Sequence, residues 1–197
     1  MASRIQLDHL EQISMDAQIA EIFMILHKVI LAQEYHVGPH EVRILMNVAD
    51  DQLLRDLARH SAKELQCSFS IALLSGAHLF LYAALRQVPP GGLLLQTLLA
   101  RLEGHLKSLT FNPDSRGEVH AWLWLLFVGM LVESSGRPSV PTTFTIRLEV
   151  FCRAHAILDV EAVMHVLKKF LWLDSACLQP SIEFWARLAP AEGVVVS

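Results

Sequence analysis

Residues 121–132 form twelve consecutive apolar positions, with Glu118 ahead of them and Glu133 immediately behind. A bilayer crossing needs about 20 such residues, so the run reads as a helix buried in a protein core. Helical periodicity dominates the rest of the chain as well. Val160, Val163, Met164, Leu167, Phe170 and Leu171 recur at one-stripe spacing, with Glu161, His165, Lys168 and Lys169 on the wetter side. Asp159 stands where an N-cap belongs, and Pro180 is expected to stop any helix continuing past Cys177. In this reading Trp172 fills core space.

Further helices are expected over residues 7–33, with a break near Asp16, and from Pro39 to about His60. Others follow at 64–87, 93–109 and 118–133. Gly38-Pro39 separates the first two and puts proline in the first turn, where its missing N–H costs little. The second helix would bury Val42, Leu45, Met46, Ala49 and Leu53. Pro89-Pro90-Gly91-Gly92 marks a turn, Asn112-Pro113-Asp114 a loop, and the Ser134-Ser135-Gly136-Arg137-Pro138 stretch with Pro141 another. Residues 142–151 are ambiguous. Phe144, Ile146, Leu148 and Val150 alternate as in a strand, whereas Phe144, Leu148 and Phe151 suit a helix. The only other strand-like segment is Val194-Val195-Val196, and a lone strand cannot satisfy its own backbone, so helix is expected. The fold class is therefore all-α. About seven helices would form one domain over residues 1–190, followed by a flexible tail at 191–197.

With 53% hydrophobic and 18% charged residues, the 197-residue chain suits one large core rather than a disordered segment. The net charge is −4, and the five lysines are scattered, Lys168-Lys169 being the only adjacent basic pair. Tracking phosphates takes a clustered basic footprint, so direct nucleic-acid binding is not expected. Cys67, Cys152 and Cys177 lack disulfide-framework or zinc-ligand spacing and read as reduced, buried residues of an intracellular protein. Asp8, Glu11 and Asp16 make the N-terminus a poor secretory signal.

Three stretches carry a resemblance. They are Ala77-His-Leu-Phe-Leu-Tyr-Ala-Ala-Leu-Arg-Gln-Val-Pro-Pro90, Trp122-Leu-Trp-Leu-Leu-Phe-Val-Gly129, and Phe170-Leu-Trp-Leu-Asp174 with Trp185 behind it. In this order and spacing they resemble the C-terminal regulatory domain of fungal zinc binuclear cluster transcription factors. The resemblance implies a nuclear helical module that follows a DNA-binding zinc cluster and answers to effectors or contacts other regulatory proteins. The cluster's six closely spaced cysteines are absent, so DNA binding is not implied. The chain resembles the regulatory portion alone, whether as a fragment, a short gene model or a paralogue without its DNA-binding half.

Constellations that could carry chemistry are few. Asp50-Asp51 with Asp56 on an all-α chain resembles the aspartate-rich magnesium site of isoprenoid synthases. Yet Asp56 lies roughly 140° around the helix from Asp51, which favours three solvated acids. His36 and His40 are split by Gly38-Pro39, and Glu161 with His165 lacks a third ligand. No nucleophile elbow or phosphate loop is present. Two readings remain. One is a non-enzymatic regulatory module without cofactor or metal, acting on protein partners in transcription or a small apolar effector. Trp122, Trp124, Phe127 and Met130 would then line any apolar pocket that neighbouring helices leave uncovered, although full burial is expected. The other is an all-α small-molecule enzyme or carrier in which two or more of Asp50, Asp51, His60 and His120 converge. The sequence leaves the oligomeric state open.

Overall fold

The computed structural model describes residues 17–62, 69–134, 142–157 and 159–188, and among these every regular element is helical. Eight α-helices follow in order: α1 (Ala17–Glu34), α2 (Pro39–Ala62), α3 (Phe69–Phe80), α4 (Leu93–Ser108), α5 (Arg116–Ser134), α6 (Thr143–Ala154), α7 (Val160–Leu167) and α8 (Asp174–Leu188). Helix α3 runs directly into one π-helical turn, Leu81–Leu85. The expected start of the first helix, its break near Asp16, Cys67, the second loop beyond Ser134 and the tail at 191–197 lie outside the described residues.

Helix α5 is the hub. It packs against α3, α4, α6, α7 and α8, which explains why its sequence shows no polar face: residues 121–128 and 130–132 are all buried. Two glycines allow the closest approaches. A Cβ at Gly129 would fall inside the Phe144 ring of α6, and one at Gly76 of α3 would meet Leu125 Cδ2 at 2.5 Å. Trp124 sits at the centre, fully buried. Its ring stacks on Phe170 at 5.6 Å and touches Phe23 of α1 and Phe80 of α3, while its indole N–H donates to the Leu171 carbonyl at 3.2 Å.

The ambiguous segment is helix α6. Phe144, Leu148 and Cys152 point into the core at four-residue spacing, and Ile146 and Val150, the residues that suggested alternation, lie on the exposed side. The α6 start receives a cap from α5, for the Glu133 carboxylate accepts the Phe144 N–H at 2.7 Å. Asp159 caps α7 as expected, accepting the Glu161 N–H at 3.0 Å.

The C-terminal segment corrects the sequence reading. Helix α7 ends at Leu167 rather than running towards Cys177, and α8 begins at Asp174 and continues beyond Pro180, which lies inside it. The reason is burial. Phe170, Leu171, Trp172 and Leu173 are all buried, so this non-helical stretch is held by core contacts rather than by a helical ladder. The non-helical backbone also frees the Leu171 carbonyl for the Trp124 indole. Proline then costs α8 one internal bond, that to the Ala176 carbonyl.

Candidate functional site

The residues singled out on α5 divide. Trp124, Phe127 and Met130 are enclosed by the core; Phe127 stacks on Trp172 at 5.8 Å and meets Trp185 at 6.4 Å. Trp122 lies at the margin and forms part of the wall of a groove of about 380 Å³ between α5 and α6. Leu126 lines the same side, Ile146, Val150 and Ala154 form the α6 ridge at four-residue spacing, and Phe111 lies among the lining rings. Packed rings build the floor: Phe111 meets Trp122 at 5.4 Å and Phe151 at 5.6 Å edge to face, and His155 packs on Phe151 at 4.5 Å in a tilted arrangement. Ile146 and Val150 are 50% and 62% exposed, so the apolar lining opens to solvent. Two donors in the lining residues are unmet: the Trp122 indole N–H and one terminal nitrogen of Arg147 are buried without a hydrogen-bond partner.

The acidic residues of α2 face different neighbours. Asp51 is exposed and pairs with Arg55 one turn on. Asp56 is buried and pairs with Arg59 at 2.6 Å. Asp50 turns towards α3 and its π turn: the Tyr82 hydroxyl donates to it at 2.7 Å, Arg86 at 3.1 Å, and His78 Nε2 stands 3.3 Å away. Arg86 also reaches the Asn47 side-chain oxygen at 3.0 Å and lies 5.1 Å over the Tyr82 ring. Asp50 and His60 are about 15 Å apart along the helix axis, and none of Asp50, Asp51, His60 or His120 lines a described cleft. Among the described residues no group of three His, Cys, Asp or Glu side chains could hold a metal ion.

The Asp50 network is the feature sequence reasoning missed. Its signal was His78, Tyr82 and Arg86, three polar residues at four-residue spacing on a helix whose other polar side chains are only Ser70 and Ser75. Burial lowers the pKa of His78, against the opposing pull of Asp50, so the imidazole is neutral at physiological pH. Tyr82 is raised, by burial first and by its bond to Asp50 second. The network ties α2 to the π turn. Burial likewise pushes the Cys152 and Cys177 thiols up to about 12, which makes them inert.

A larger cleft of about 860 Å³ lies where the α1–α2 connection meets the start of α8, bordered by Gln33, His36, Val42, Gln87 and Ser175. His36 and Gln87 are there because each ends a helical segment with positive φ, 53° and 51°. Glu34 and Asp174 also line it; Asp174 pairs with Lys168 at 3.7 Å, and among the described residues the acids and His36 form no metal-holding group. The class of protein defined by these features is an all-α helical array with an apolar groove along its central helix. No family model matches the chain, and neither a known protein nor a solved structure was found to be significantly similar to it. Among the described residues no helix is long and apolar enough to cross a membrane.

Proposed function

We propose that this chain is a non-enzymatic regulatory module that acts through the groove between α5 and α6, taking up a small effector or a partner and transmitting its occupancy to transcription. The observation that carries the reading is the groove itself: an aromatic floor, a solvent-open aliphatic ridge on α6 and unmet donors in the lining residues. Exposed apolar surface of this kind costs solubility unless something binds it. The transcriptional and nuclear part of the proposal comes from the resemblance to the regulatory domain of fungal zinc binuclear cluster factors. It is supported by the way the three resembling stretches meet in one aromatic core, where Phe80, Trp124 and Phe170 adjoin and Phe127 contacts Trp172 and Trp185. A groove at the edge of that core is well placed to sense or to alter its packing. Asp50, the acid that a metal-dependent carrier would need, is already bound to Tyr82 and Arg86.

The test is a reporter assay in a fungal host with the chain fused to a heterologous DNA-binding domain. The wild-type fusion shifts reporter output relative to the DNA-binding domain alone, and Val150→Glu, placed on the exposed ridge, abolishes the shift at equal protein level. A fusion that is silent in both forms, or equally active in both, overturns the reading.

A further inference from the structure

We infer that the α5–α6 groove is a site for an amphipathic carboxylate, a molecule with an apolar body of small-ligand size and one acidic head. The inference rests on the effector reading above and specifies its ligand. The volume of about 380 Å³ lies within the range of small-molecule sites. The lining is Phe111, Trp122, Leu126, Ile146, Val150, Phe151 and Ala154, together with the nitrogen-bearing side chains of Arg147 and His155, and among the described residues no carboxylate lines it.

Arg147 is the decisive residue. Two cations on helices that pack against α5 are matched: Arg153 of α6 holds Glu149 at 3.0 Å, and Lys107 of α4 holds Glu103 at 2.8 Å. Arg147 sits on the same helix as the first pair, yet it has no carboxylate partner among the described residues, and one of its terminal nitrogens is buried and unbonded. An unmet guanidinium donor against apolar walls is costly unless an acceptor reaches it. A carboxylate meets that need in paired geometry, while an alkyl or aryl body covers Ile146, Val150 and the Trp122–Phe111 floor. Trp122 lines the groove from α5, and its indole N–H is a second buried donor without a partner. A neutral apolar ligand would fill the groove and leave the guanidinium unmet. A cationic one would be repelled by it.

Isothermal titration calorimetry of the full chain with decanoate and with decan-1-ol, both below their aggregation concentrations, tests this. Decanoate is expected to bind one to one and about tenfold more tightly than the alcohol, the worth of one partly exposed charge-assisted contact. Arg147→Met keeps the aliphatic stem and should bring the ratio of the two affinities to about one while leaving alcohol binding unchanged; Arg147→Lys should restore part of the preference. Val150→Glu should abolish both, with the helical circular dichroism and melting transition retained. Equal binding of acid and alcohol to the wild-type chain overturns the carboxylate inference and leaves the effector groove standing. Binding that survives Val150→Glu, or no binding of either probe, overturns the carboxylate site, and the reporter assay then decides alone whether the groove serves a partner.

Discussion

Asp50 and Asp51 are neighbours in sequence with opposite surroundings, so alanine at each should have sharply different consequences. Asp51 meets only Arg55, one helical turn away on an exposed face, and such pairs contribute about 0.5 kcal/mol or less. Asp50 accepts from the Tyr82 hydroxyl at 2.7 Å and from Arg86 at 3.1 Å, and it faces His78 at 3.3 Å. Without it, Arg86 retains Asn47 and is about a quarter exposed, so its loss is confined to roughly 1 kcal/mol. The Tyr82 hydroxyl loses its acceptor, for about another 1 kcal/mol. The neutral His78 imidazole, only 5% exposed, loses the polar acceptor facing its Nε2 at 3.3 Å, adding roughly 1 kcal/mol more. Asp50→Ala should therefore cost about 3 kcal/mol, and for a domain of this size that lowers Tm by roughly 6–12 °C. Asp51→Ala should leave the melting temperature within about 2 °C. Urea melts of both variants, with Tyr82→Phe and the Asp50→Ala/Tyr82→Phe double variant to measure the coupling, supply the check. Equal stability of the two alanine variants would refute the idea that the network pins α2 to the π turn.

Gly129→Ala places a methyl group inside the Phe144 ring, which is itself 1% exposed and has nowhere to retreat; a loss of about 2–3 kcal/mol in chemical denaturation is expected, and a neutral result would mean that α5 and α6 are further apart than described. His27 is held at a pKa of about 4 by burial, partly offset by its hydrogen bond to the Phe170 backbone. Because the unfolded chain takes up this proton near pH 6.5 and the folded chain only near pH 4, stability falls as pH drops through that window, by up to about 3 kcal/mol. His27→Gln should remove that share of the acid loss, and parallel pH profiles for the two proteins would contradict it.

Much of the helical layout was legible from local chemistry. Pro39 opens α2, the Pro-Gly turn at residues 89–92 precedes α4, and Asp159 caps α7; each acts through its own backbone or within one turn. The apolar run at 121–132 identified the central helix because a segment without a polar face must be enclosed. Where one residue type suited two structures, distant partners chose. Residues 142–151 became helical because Phe144, Leu148 and Cys152 could then all reach the core. The stretch from Phe170 to Leu173 is non-helical where four successive large side chains find cover in the core and the Trp124 indole bonds the Leu171 carbonyl.

The sites divide along the same line. Periodicity on a single helix reports which face is apolar, and it marked Trp122, Trp124, Phe127 and Met130 together. It does not report which of them a neighbouring helix covers. Only the packing of α6 on α5 separates Trp122 at the groove from the other three in the core. Asp50 likewise shares its composition and helix with Asp51. Its partners come from residues 28–36 positions away, through the π turn, whose extra residue per turn alters the facing of Tyr82 and Arg86. Local propensities act over a few residues and survive in the sequence alone, whereas burial and charge pairing depend on what the folded chain brings alongside.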